Sequence, residues 1–158
     1  MRKLILALFV LAGLTGCRLF HSNVDGAHAK NLFSRTEIEN ILSAKVTAAQ
    51  LLSDTAAGSV LRFSIGDDQS ELVQITVTRP ALFPVKSNAK SSLHGVRSAT
   101  TIKKTVTVDG IGDEAYWDGD TIHFVKNDCY VTIHFESKNM PVSLKKAKKL
   151  AELAASRI

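Results

Sequence analysis

Residues 121–136 alternate apolar and polar side chains about a central Asn127-Asp128, and this stretch restricts the fold more than any other part of the 158-residue sequence. Two alternating runs joined by a two-residue turn read as a β-hairpin, because Asn and Asp tolerate the left-handed backbone that a tight turn needs. Such a turn pairs Lys126 with Cys129, Phe124 with Val131 and Ile122 with Ile133. Side chains alternate along a strand, so Ile122, Phe124, Cys129, Val131, Ile133 and Phe135 share one face. Cys129 is then expected to be a small buried hydrophobe and not a reactive thiol. The opposite face carries Thr121, His123, Val125, Tyr130, Thr132 and His134. A sheet with one apolar face must bury it against another layer, so this hairpin calls for helices.

The rest of the chain supplies them. Ser34-Arg35-Thr36-Glu37 fits a capping box and opens a helix whose Ile38, Ile41 and Leu42 share a side. Residues 46–59 are compatible with a helical extension or a loop. Residues 60–65 and 71–78 form a hairpin about Gly66-Asp67-Asp68, with Val73, Ile75 and Val77 on one face. Pro84 can open a helix that places Val85, Ala89 and Leu93 together and ends at Gly95. Residues 102–108 make the next strand, with Val106 and Val108 inward. Ala115-Tyr116-Trp117 has room for a short strand before a turn at Asp118-Gly119. Ser143 caps a final helix with Leu144, Ala147, Leu150, Ala151, Ala154 and Ile158 on one side. The expected class is α+β: a single antiparallel-rich sheet packed by helices, in the order α-β-β-α-β-β-β-α.

The first residues have a separate role. Met1-Arg2-Lys3 is basic, residues 4–12 are apolar without interruption, and small residues follow, which is the pattern of a secretory signal. The apolar run is far short of the ~20 residues that cross a bilayer. Leu14-Thr15-Gly16-Cys17 resembles the lipobox of bacterial lipoproteins. That resemblance implies cleavage between Gly16 and Cys17 and a diacylglycerol thioether on Cys17. The expected organisation is a signal peptide over residues 1–16, a lipidated cysteine and flexible tether over 17–33, and one globular domain over 34–158. Arg18 stands where an Asp often directs retention at the inner membrane. The expected address is therefore the outer membrane facing the periplasm of a Gram-negative cell, or the outer face of the plasma membrane of a Gram-positive one.

Composition narrows the function classes. Arg2 and Lys3 leave with the signal, so the formal charge of +5 falls to +3. That mild excess lacks the clustered stripe of a nucleic-acid binder. Lys145, Lys146, Lys148 and Lys149 read as a solvated helix face, with contact to anionic headgroups as the sharper alternative. With Cys17 lipidated, Cys129 has no partner within the chain. No nucleophile elbow, zinc-protease helix, phosphate loop or Cys-x-x-Cys occurs, and no cofactor is implied.

The most distinctive stretch is Gly110-Ile111-Gly112-Asp113-Glu114-Ala115-Tyr116-Trp117. It resembles a group of small bacterial lipoproteins that share this motif, followed by two strands and a C-terminal helix. The resemblance covers residues 105–157 best and implies a Mog1-like α/β/α sandwich and an envelope location, without an activity. Cysteine pairs common in that group are absent here. From the residues, the stretch reads first as a structural turn that glycines permit, with Asp113, Glu114, Tyr116 and Trp117 as a candidate binding surface of acids beside aromatic rings in the alternative. His123 and His134 are diagonal neighbours and a weak candidate metal pair without a third ligand. Asp113, Asp118 and Asp120 lack the ligand set of a calcium loop. The expected function is a non-catalytic module that binds an envelope protein or cell-wall component. A small-molecule carrier or sensor and an inhibitor or immunity-type protein are the alternatives. An enzyme using His123, His134, Asp113 or Glu114 as acid and base comes last.

Overall fold

A computed structural model describes residues 27–82, 88–100, 105–137 and 141–158. The Leu14–Cys17 lipobox residues, Pro84, Val85 and Ile102 lie outside the described residues. The hairpin that dominates the sequence is present as β6, Thr121–Lys126, and β7, Cys129–Glu136. Lys126 faces Cys129, Phe124 faces Val131 and Ile122 faces Ile133. Asn127 and Asp128 take φ of 48° and 59°, the double left-handed turn that matches strand twist.

Strands add on both flanks. β3, Asp68–Thr78, pairs with β7, setting Val73, Ile75 and Val77 opposite Phe135, Ile133 and Val131. β2, Gly58–Ile65, forms a hairpin with β3, and β1, Gln50–Thr55, closes that side. On the other flank β5, Glu114–Trp117, pairs with β6, and the two-residue β4, Val106–Thr107, pairs with β5. The result is one antiparallel sheet of seven strands in the order β1-β2-β3-β7-β6-β5-β4.

Helices cover both faces, unequally. α1, Ala29–Leu32, α2, Arg35–Leu42, and α4, Leu144–Ala155, pack on the face that carries Phe63, Ile75, Phe124 and Ile133. Each such side chain contributes about 1.5–3 kcal/mol when fully buried. α3, Ala89–Ala99, lies on the other face and packs Ala89 and Leu93 on Tyr116 and Val125, with Tyr130 alongside. The capping box is present: Ser34 accepts from the Glu37 amide, and the Glu37 carboxylate accepts from the Ser34 amide. Ser143 caps α4 in the same way through the Lys146 amide.

The mixed α+β class and the expected element order hold, enlarged by a short first helix, an edge strand and the short β5. Several finer expectations are corrected. Residues 27–33 belong to the domain and not to a tether, because Ala27, Ala29, Leu32 and Phe33 are buried in the main core. Residues 50–55 are a strand and neither helix nor loop. The bulge between Leu51 and Ser53 hides the period of two. α3 starts at an Asn88 cap and runs through Gly95 to Ala99. Val106 points outward, while Val108 is buried. The lysine cluster is divided: Lys146 donates to the Leu42 carbonyl and Lys148 to that of Asp109, while Lys145 and Lys149 face solvent.

Candidate functional site

The Gly110–Trp117 stretch is shaped by its glycines. Gly112 has φ of 56°, and a Cβ there would stand 2.2 Å from the Val125 carbonyl oxygen. That carbonyl accepts from the Asp113 amide at 2.7 Å, so the close approach is what fastens the loop to β6. Ile111 is buried between the two glycines. The motif therefore begins as a turn that only glycine allows.

Its aromatic half is corrected by the structure. Tyr116 and Trp117 are 0% and 8% exposed, so they do not form a binding surface with Asp113 and Glu114. Adjacent strand residues point to opposite faces, and both faces of β5 are covered. Trp117 enters the main core against Phe135, and Tyr116 enters the small core under α3. Asp113 stays exposed. Glu114 is half-buried and meets His94 of α3, whose Nε2 lies 2.8 Å from Oε1. Arg97 of α3 sets its guanidinium 5.6 Å from the Tyr116 ring centroid and donates to Thr107 Oγ1 at 2.9 Å.

A polar network lies next to Tyr116. His123, 6% exposed, stacks on Tyr116 with ring centroids 4.4 Å apart and planes 11° apart. Its Nε2 lies 3.2 Å from Asp118 Oδ2 and its Nδ1 2.7 Å from the Tyr130 hydroxyl. Asp118 reaches the ring because it stands at the start of the β5–β6 turn, where Gly119 takes φ of 113°. Its other oxygen accepts from the Thr121 amide at 2.9 Å and the Asp120 amide at 3.3 Å. A neutral imidazole satisfies every contact: Nε2–H donates to Asp118 and Nδ1 accepts from Tyr130. Burial lowers the His123 pKa, and the Asp118 hydrogen bond only partly opposes it. Burial also pushes the Tyr116 phenol up to about 12 and raises Tyr130. The Tyr116 hydroxyl is buried without a well-formed hydrogen bond, and Asp118 and Tyr130 act on it through space. Near neutral pH this network holds its protons and presents no activated nucleophile.

His134 joins this network at its far side, through Thr121 and Asp120. Its Nδ1 lies 2.9 Å from Thr121 Oγ1, which donates to Asp120 Oδ1 at 2.8 Å. The candidate acid and base groups are therefore not all gathered: His123 serves Asp118 and Tyr130, His134 serves Thr121, Glu114 serves His94, and Asp113 faces solvent. Both ring nitrogens of His123 are occupied by hydrogen bonds, so it does not pair with His134 as a metal ligand in this arrangement. Among the described residues no group of three or more His, Cys, Asp and Glu could hold a metal ion. Cys129 is buried, and burial raises its thiol pKa.

Beyond α3 the same sheet face carries no helix among the described residues. One cross-strand row runs from Arg62 to Gln74 to His134 to Thr121. Arg62, Gln74 and His134 are half-buried, as are Thr76 and Thr132 in the next row. Arg62 donates to Gln74 Oε1 at 2.9 Å, and its Nε is buried without a hydrogen bond.

A further cluster, absent from the sequence reading, ties down the start of the domain. Buried Arg79 donates from Nε to the Ala27 carbonyl at 3.1 Å and from Nη1 to the Thr55 carbonyl. Its Nη2 meets His28 Nδ1 at 2.7 Å and Asp54 Oδ1 at 3.2 Å. Lys30 and His28 also hold Asp54, and their hydrogen bonds, Lys30 first, keep its carboxyl down at about 2. No spacing marks these residues in the sequence, since they meet only when α1 folds over β1 and β2. No family model, curated protein or solved structure matches this chain.

Proposed function

We propose that this chain is a lipid-anchored envelope protein whose domain binds another envelope protein or a cell-wall component without catalysing a reaction. The anchor rests on Leu14-Thr15-Gly16-Cys17 and the basic-apolar leader before it. The resemblance of residues 105–157 to small bacterial lipoproteins agrees with it. The observation that carries the binding reading is the half-exposed polar row of Arg62, Gln74 and His134 across β2, β3 and β7. A flat polar patch backed by a packed core is a rigid platform, and Arg62 brings a guanidinium whose only described hydrogen bond is to a neutral side chain. An acidic or hydrogen-bond-rich partner fits it.

The other readings find less support. A carrier needs a deep apolar pocket of ~300–1,000 Å³. Among the described residues, a hollow of about 360 Å³ is lined by the polar or small Glu39, Asn40, Ser43, Ala44 and Lys45, and one of about 210 Å³ beside Leu82 sets Val60 and Val77 among Ser53, Thr55 and Thr76. An acid/base enzyme needs converging groups; His123 and His134 are neighbours through Asp118, Asp120 and Thr121, whereas Glu114 pairs with His94 and Asp113 faces solvent.

The test is photo-crosslinking in living cells, with the crosslinking residue in place of Gln74 in the lipidated protein. A discrete adduct that Arg62→Glu removes is the expected result. No adduct at Gln74 or Thr132 sinks the binding reading. An envelope hydrolase or toxin in the adduct selects the inhibitor form of the proposal, and a structural component selects the module. Separately, Cys17→Ser should release the protein from the membrane fraction.

A further inference from the structure

We infer that the β1 edge of the domain lies on the lipid surface, with Leu51 and Leu52 seated in the bilayer interface. The inference rests on the lipid anchor proposed above. Five large hydrophobics among the described residues are exposed, and two of them, Leu51 and Leu52, are adjacent on this edge. Leu51 is 46% exposed and Leu52 49%, both on β1, and Leu82 is 59% exposed beside Ser53 and Thr55. β1 is the outermost strand of the sheet. Its residues read Gln50-Leu51-Leu52-Ser53-Asp54-Thr55, and the one charge among them is turned into the Lys30, His28 and Arg79 cluster. The edge thus presents apolar and neutral groups outward.

The same cluster fixes where the chain arrives. Arg79 holds the Ala27 carbonyl, and His28 and Lys30 hold Asp54 at 2.6 Å and 3.0 Å. The segment from the anchor therefore joins the domain at the Asp54 end of β1. Leu52 stands two residues away along the strand, about 7 Å. Nine residues separate Cys17 from Ala27, so a lipid on Cys17 confines Ala27 to within ~35 Å of the membrane even at full extension.

Physical chemistry limits the depth. An edge strand carries unpaired amides and carbonyls, which hydrocarbon cannot satisfy. The leucine side chains enter the interface, while the strand backbone stays level with headgroups and water, as an interfacial segment does. The bulge between Leu51 and Ser53 leaves Leu52 without a cross-strand partner on β2, while pairing resumes at Ser53. Such docking would point the β4 edge, at the other end of the sheet, away from the membrane.

The test uses the full lipidated protein in vesicles of phosphatidylethanolamine and phosphatidylglycerol. A nitroxide is placed at Leu52→Cys and, as the control, at Glu152→Cys on α4, while buried Cys129 gives the wild-type background. The expected result is a label at position 52 that oxygen reaches and a water-soluble nickel complex does not, with the reverse at position 152. A floating protein whose label at 52 is as open to nickel as that at 152 overturns the docking and leaves the anchor standing. A protein that carries lipid on Cys17 but has the label at 52 immobilised by a second protein or a second copy also overturns it, in favour of strand pairing. A protein that does not float at all overturns both readings.

Discussion

The two faces of the sheet are built from the same strands by opposite means. The face under α1, α2 and α4 is almost wholly apolar, with Phe63, Phe124, Ile75 and Ile133 in one continuous core. The other face is a short apolar patch under α3, then rings and hydrogen bonds: Tyr116, His123, Tyr130, Asp118 and Thr121. The first face stabilises by area removed from water and is indifferent to pH. The second is held by directional contacts, each of small net worth but costly to leave half-made. One sheet thus separates the task of holding the fold from the task of presenting polar groups.

Mutations should break this contrast in graded steps. Phe124→Ala empties the main core and should cost about 3–5 kcal/mol in urea unfolding. A loss near 1 kcal/mol would mean the apolar face is not the principal store of stability. Gly112→Ala should cost at least about 2 kcal/mol, from the left-handed backbone and the contact with the Val125 carbonyl. A neutral result would show that the loop can move off β6. Tyr130→Phe removes the donor to His123 Nδ1 and should cost about 1 kcal/mol with the fold intact.

pH separates the faces without mutation. The folded His123 pKa lies below its ordinary 6.5, so the fold favours the neutral ring. Stability is complete above pH 6.5 and declines as pH falls below it, because the unfolded chain takes up that proton first. His123→Asn should flatten the decline that begins below pH 6.5. Glu37 and Asp54, both held at about 2, act in a lower window: their contributions are present above about pH 4 and are lost between there and about pH 2. An undiminished decline in His123→Asn would assign the effect to another group. Smallest of all, His94→Ala should change stability by under ~0.5 kcal/mol, since the ring is mostly exposed and the pair with Glu114 is screened.

How much was legible follows from the same contrast. Apolar alternation and a two-residue turn gave β6 and β7 residue by residue, and capping chemistry gave the starts of α2 and α4. β1 escaped because adjacent Leu51 and Leu52 break the period of two, and α1 because four residues are too few to show a helical one. Tyr116 and Trp117 were expected on the surface, since a strand covered on both faces shows no alternation that separates inside from outside. The candidate network was half visible. The hairpin register placed His123 and His134 on one face, but Asp118 joins His123 only through the geometry of the Gly119 turn. The Arg79 cluster gathers residues from α1, β1 and the end of β3, and no local pattern encodes such a meeting.

The pairing of β3 with β7 sets a timetable. β7 is the centre of the sheet, yet the last of its seven strands in chain order, and Arg157 then clasps Glu37 and the Leu32 carbonyl. Until residue 136 is available, the two halves of the sheet have nothing between them. Native closure therefore waits for β7, and a nascent polypeptide lacks the centre of its sheet until residues 129–136 have been made.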